Sequence, residues 1–344
     1  MQALRAQALT TSPLAALLID EMHLGEALAM SDTTVKAWQE FIRIDPGNAI
    51  SWSNLGVVYF NRNAALDALG KPADTVAELR TALDLDAAAP PVLLLRRTLS
   101  ALAGRLAILE ADRGNRKESD EALAIARRLL EMLAARSAGG ALSARLPMTG
   151  LDVWQVAVWQ ARGEDQRALD LGRAVLPRLE ALRTDDADQA RVKFFFLRML
   201  LRAMAQSAYA QKDYAFAGRC TARLLETHKA HVPRGLGEKR ERVADQMLAA
   251  LVLARENRLP EAQALAAPAL KFQRELSPRN VDDPSQRREL AAALYVAAVS
   301  GVGDRTAQLA EAAALVDRLP PGMRQLGSTA VLRSGIAEEQ KTRG

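Results

Sequence analysis

The chain has 344 residues, 49% hydrophobic but only 4% aromatic, and its 46 Lys and Arg stand against 41 Asp and Glu for a net charge of +5. Charges of both signs that nearly cancel describe a solvated surface and argue against a chain organised around polyanion binding. The single cysteine, Cys220, excludes an intrachain disulfide, and no apolar run reaches the ~20 residues of a membrane helix. The longest candidate, Leu290 to Gly303, is flanked by Glu289 and Asp304. Alanine, the best helix former, is abundant, and few stretches alternate apolar and polar residues as strands do. The composition therefore predicts an all-α protein. The stretch from Arg5 to Ile19 contains Gln7, Thr10, Thr11, Ser12 and Pro13, too polar for a secretory signal. A cytoplasmic location is expected, with the periplasm left open.

In chain order, the first periodic helix carries Trp38, Phe41 and Ile42 on its apolar face and is expected to end at Pro46. A turn, Asp45-Pro46-Gly47-Asn48, leads into a helix bearing Trp52, Leu55, Gly56 and Tyr59. A second helix, expected over 74–86, carries Thr75, Leu79, Ala82 and Leu83. Further turns each precede a small or polar residue on a following helix. Gly114 precedes Ala122, Gly163 precedes Ala168, and Lys212-Asp213-Tyr214 precedes Ala217. Asn257 to Pro260 precedes Ala262, and Gly303-Asp304 precedes Gln308. From Thr75 through Ala122, Ala168, Ala217 and Ala262 to Gln308 the successive spacings are 47, 46, 49, 45 and 46 residues. Residues 261–276 and 306–319 read as amphipathic helices, and the stretch from Ala269 to Pro278 suggests that the extra length lies at the end of the second helix.

The order Trp52, Leu55, Gly56, Tyr59, then Ala82, resembles the tetratricopeptide repeat (TPR), although the spacing exceeds the family's period of about 34 residues. The longer unit is similar to arrays of the kinesin light chain type and of bacterial signalling proteins. The resemblance implies a right-handed α-solenoid, a TPR-like superhelix of about six to seven antiparallel helix hairpins. Gly56 is expected to let the two helices of one hairpin touch. Residues 1–136 would be N-terminal hairpins, 137–150 a flexible connection, 151–322 longer C-terminal hairpins, and 323–344 a capping helix and tail. The match is weak before Thr33 and at 91–133, and Asp152 and Gln155 replace the expected Trp and Leu.

Such arrays bind proteins or peptides along a groove lined by first helices. By resemblance, the groove positions here are Ile50, Ser53, Val57 and Phe60, then Met199, Arg202, Gln206 and Tyr209, then Ala244, Met247, Leu251 and Ala254. The lysine and asparagine clamp used by chaperone-binding TPRs is absent, and the mixed lining suits an amphipathic helix or extended peptide. The same apolar residues could instead be packed within the array, and both readings stay open.

The remaining chemistry is thin. His228 and His231 share a helical face, but further metal ligands are not evident and Pro233 follows, so no metal is assigned. Lys229, Arg234, Lys239, Arg240 and Arg242 are interleaved with Glu238 and Glu241 and carry no aromatic residue to stack on bases, which favours a salt-bridged helix start over a nucleic-acid contact. Phe194, Phe195 and Phe196 must cover most sides of a helix, so one ring is expected to face outward. Cys220 falls in phase with Ala217 and Leu224 and reads as packed. No catalytic residue and no cofactor is assigned. The expectation is a non-enzymatic scaffold for a protein or peptide partner. The alternative is the C-terminal sensor region of a larger bacterial regulator, a Ser/Thr kinase or winged-helix protein, because residues 1–30 look like a repeat cut into. An α-helical enzyme and a nucleic-acid binder are further alternatives.

Overall fold

The computed structural model describes residues 2–135, 142–233, 235–277 and 283–342. Among these residues there are seventeen helices and no strand. Seven hairpins follow one another: α1 (Gln2–Asp20) with α2 (Leu24–Ile44), α3 (Ala49–Ala68) with α4 (Pro72–Leu83), and, after the short α5 (Leu85–Ala88), α6 (Leu93–Asp112) with α7 (Arg116–Ala134). Then come α8 (Leu142–Ala161) with α9 (Asp165–Ala181), α10 (Ala187–Ala210) with α11 (Tyr214–Lys229), α12 (Leu236–Arg255) with α13 (Leu259–Leu276), and α14 (Pro284–Ser300) with α15 (Arg305–Asp317). The single-turn α16 (Pro321–Arg324) and α17 (Gly327–Lys341) close the described chain. It divides into two compact units. The first comprises residues 1–110, 115–154 and 235–237, the second 111–114, 155–234 and 238–344. Each is a segment of all-α solenoid, in which helices pack mainly on their neighbours in sequence.

One local device closes all seven hairpins. The first helix ends with a residue in the left-handed region: Met22, Gly70, Gly114, Gly163, Lys212, Asn257 and Gly301, 44–49 residues apart. The amide of each donates to the carbonyl three residues back, at 2.9–3.3 Å, and the next amide to the carbonyl five back, at 2.7–3.1 Å. These are the paired bonds of the Schellman motif, and they satisfy carbonyls a helix end would otherwise leave open. In the first six hairpins the residue after the turn, from His23 to Arg258, is already the N-cap of the second helix. No linker intervenes, so the backbone geometry of the turn sets the angle between the two helices.

The small anchors fill the space that this angle leaves. Ala82, Ala122, Ala168, Ala217 and Ala262 are all buried, as are Thr75 and Gln308. Around them lie fully buried leucines, such as Leu55, Leu79 and Leu102 in the first unit and Leu179, Leu200 and Leu224 in the second. Each contributes about 1.5–3 kcal/mol of burial.

At the motif that names the repeat, Trp52, Leu55 and Tyr59 are buried, and the Trp52 indole N–H donates to the Pro46 carbonyl at 2.9 Å, pinning the turn between hairpins. Asn48 caps α3 by accepting from the Ser51 amide at 3.1 Å. Gly56 corrects the expectation made for it. A methyl there would meet Leu95 Cδ1 of α6 at 2.7 Å, so the glycine admits the first helix of the next hairpin, not the second helix of its own. Gly104 on α6 does the same for α8, since a methyl would lie inside the Trp154 indole.

Three boundaries also differ. α2 stops at Ile44, because the residue before a proline avoids helical backbone and Asp45 sits at φ −132. The extra length is shared by both helices of the hairpins: α3, α6, α8 and α12 have 20 residues and α10 has 24, while the second helices α7, α9, α11 and α13 have 19, 17, 16 and 18, against 12 in α4. Of the connection expected at 137–150, residues 142–150 form the start of α8, held by buried Leu146 despite Pro147. Residues 137–141 lie outside the described residues, as do Arg234 and Pro278.

Substitutions at the turns separate backbone strain from packing. Gly163, at φ +71, has nothing within 4 Å of a methyl, so Gly163→Ala is expected to cost about 1–2 kcal/mol through strain alone. Lys212→Gly is expected to stabilise by up to about 1 kcal/mol. Urea unfolding of the two variants checks this, and a destabilised Lys212→Gly contradicts the left-handed turn.

Candidate functional site

The groove positions divide into open and packed. On α3, Ile50, Val57 and Phe60 are 64%, 39% and 37% exposed and lie at i, i+7 and i+10, a single stripe. Ser53 is 5% exposed and its hydroxyl donates to the Ala49 carbonyl, so it lines no open surface. The reason is coverage. α3 packs on α1, α2 and α4 and meets α6 at Gly56, which leaves only a narrow strip free. The Arg105 guanidinium from α6 sits 5.9 Å above the Phe60 ring, a cation–π approach, and is paired with Asp67 of α3 at 3.4 Å. On α12, Met247 and Ala254 are buried and Ala244 and Leu251 half-buried, so packing within the array wins there.

On α10, Arg202 is spent on an ion pair and Tyr209 on a hydrogen bond, Met199 is half-buried, and Gln206 is exposed. Asp245 of α12 is fully buried. Arg202 Nε lies 2.6 Å from its Oδ1, Arg198 Nη1 3.4 Å and His228 Nε2 2.7 Å from its Oδ2. Arg198 also reaches Glu241 at 3.0 Å. Burial pushes the Asp245 carboxyl up, but Arg202, His228 and Arg198 outweigh it and hold it below the usual carboxylate range. Tyr209, the last groove position, accepts from Arg255 Nε at 3.0 Å.

The two histidines do not converge on one point. His228 faces Asp245, and His231 Nε2 lies 3.2 Å from Glu238. Phe194 joins them through its ring, stacked 4.1 Å from His231 and edge-on to His228 at 5.6 Å. Among the described residues no group of three or more His, Cys, Asp or Glu is placed to hold a metal ion. Phe196 is buried and Phe195 is the ring that faces outward. The basic stretch is structural at two of its positions. Arg240 makes a two-pronged pair with Glu289 of α14 at 2.7 and 2.9 Å, and Arg242 donates to the carbonyls of His228 and His231. Cys220 is buried, which pushes its thiol up to about 11 and keeps it protonated and inert at neutral pH.

Asp245, Arg198, Arg255 and Glu339 escaped the sequence reading. A signal for two pairs of charges was present: Arg198 and Arg202, and Glu241 and Asp245, each sit four apart on helices whose other faces are apolar, a spacing that aligns side chains across a helix pair.

No protein-family model matches the chain, and no curated protein matches it. Among solved structures it is similar to the crystal structure of yeast Tom70, at 14% identity over 97% of this chain and 82% of that one, with a TM-score of 0.26. The class rests on the chain's own geometry. Consecutive hairpins, a Trp–Leu–Gly–Tyr helix and buried small anchors define a TPR-like helical repeat protein. No described helix is long and apolar enough to cross a membrane.

Removing one charge from the Asp245 cluster leaves its partners uncompensated. Asp245→Asn is expected to destabilise the second unit by about 3–5 kcal/mol. Because the folded carboxyl is held low, its contribution is fully present above the unfolded pKa and fades as pH falls through the folded one. Chemical denaturation of wild type and variant across pH 2–7 is expected to show the gap closing only in acid, and a pH-independent gap contradicts the ion-pair assignment.

Proposed function

We propose that the chain is a non-enzymatic scaffold that binds a protein or peptide along the exposed face of α3. The observation that carries this reading is the stripe Ile50, Val57 and Phe60, left open on a helix whose other sides are covered, with Arg105 beside it. Three apolar side chains at helical spacing fit the apolar face of an amphipathic helix. The 44–49 residue spacing supports a place among the long-helix arrays of the kinesin light chain and bacterial signalling types. The lone buried thiol suits a reducing compartment, the cytoplasm.

A photo-crosslinking amino acid at Val57 in cells tests the reading. A defined partner is expected, with capture lost in Ile50→Asp and retained in Val331→Asp, which alters an exposed residue of α17. Capture that survives Ile50→Asp, or none at all, sinks this assignment.

A further inference from the structure

α17 buries few of its fifteen residues. Its buried residues are Thr329, Ile336 and Glu339, its N-cap Leu326 has no side chain to offer the first amides, and Val331 is 74% exposed. It is gripped by other elements of the second unit instead. Asp112, in the segment 111–114 that groups with that unit, accepts from the Ser328 amide at 2.7 Å and its hydroxyl at 2.8 Å. Midway, Gly335 lets the helix lie on Tyr295 of α14, since a methyl there would stand 2.9 Å from the phenol oxygen. Ile336 enters the apolar cluster of α12 to α15.

The tightest hold is on Glu339. Its buried carboxylate takes Arg255 of α12 at 2.5 Å on one oxygen and Arg305 of α15 on the other, and Arg305 also donates to the Glu339 carbonyl at 3.0 Å. Tyr209 of α10 steadies Arg255. Burial pushes the Glu339 carboxyl up, and the two guanidiniums outweigh it and hold it low. Both arginines stand on helices of the array: Arg255 keeps Tyr209 as a partner without α17, whereas the hydrogen bonds of Arg305 all run to Glu339 and Thr342. Two part-buried guanidiniums left without an anion are costly, so the site favours exchange of one carboxylate for another over vacancy.

We propose that Arg255 and Arg305, with Tyr209 and Tyr295, form a recognition site for a carboxylate borne on a helix, that Glu339 is its resident occupant, and that a partner helix of matching pattern displaces α17. The pattern is read from α17 itself: a small residue at Gly335, an apolar one at Ile336 and an acid at Glu339, so the ligand carries small–apolar–x–x–acid on one face. The proposal extends the scaffold reading and rests on it, but uses residues distinct from the α3 stripe.

The probe is a fluorescein-labelled synthetic peptide with the sequence Gly327–Lys341, added to the full chain. Wild type, its site filled, is expected to bind it at least about tenfold more weakly than the Glu339→Gln chain. A peptide carrying its own Glu339→Gln is expected to lose about tenfold on the Glu339→Gln chain, and adding Arg305→Glu to that chain is expected to abolish binding. Hydrogen exchange on the Glu339→Gln chain is expected to show α17 amides opened while α10 to α13 stay protected, which separates release from unfolding. Equal binding of the two peptides, α17 amides as protected as in wild type, or dimers formed by exchange of α17 between copies would each overturn the proposal. Failure here with an intact Val57 crosslink discards this site and leaves the scaffold reading standing.

Discussion

The left-handed residue that ends each first helix is the constraint on which the rest depends. Its two backbone bonds satisfy carbonyls that would otherwise face solvent, and it hands the chain to the next helix within a single residue in six of the seven hairpins. Four of the seven residues are glycine, which adopts this backbone freely. Met22, Lys212 and Asn257 bear a strain of about 1–2 kcal/mol each, outweighed by the helix pairs they join. With the turn fixed, the second helix of a hairpin must present a small residue where it crosses the first, which is why Thr75, Ala122, Ala168, Ala217 and Ala262 recur 45–49 residues apart.

Between hairpins the constraint is different in kind. Gly56 and Gly104 remove side chains so that successive first helices can touch, with Leu95 and Trp154 filling the space. In the second unit that role passes in part to charge: Asp245 joins α12 to α10 and α11, Glu289 receives Arg240 of α12, and Glu339 ties α17 to α12 and α15. Glycine contacts are close and unselective, whereas a buried carboxylate accepts only cations in particular places. The ion pairs thus fix which helix sits beside which in the second unit, and protonating their carboxylates weakens it.

The hairpins were legible because turn chemistry and small anchors are local signals, readable over ten residues. Gly114, Gly163, Lys212 and Asn257 were all placed at turns from sequence, whereas Met22 and Gly70 were not, and the last turn was placed at Gly303, two residues after Gly301. The groove was legible only in part. Ile50, Val57 and Phe60 are exposed, but Ser53 on the same helix is buried, and burial depends on which helices pack around α3 and not on its own sequence. The partnership of Arg202 with Asp245 and of Tyr209 with Arg255 spans more than forty residues, and no pattern within one helix encodes it. The length of the second helices was legible because Ala269 to Leu276 continues well past the shorter repeat, and α13 does run to Leu276, but the first helices carry as much extra length.

The most direct measurement is residue-resolved hydrogen exchange on the seven amides that follow the left-handed residues: His23, Lys71, Asn115, Glu164, Asp213, Arg258 and Val302. In an ordinary loop these amides face solvent and exchange freely, whereas here each is bonded to the carbonyl five residues before it. Protection at all seven comparable to that of the helices they join is the expected result. Free exchange at these amides, with the flanking helices still protected, would contradict an array built on closed hairpins.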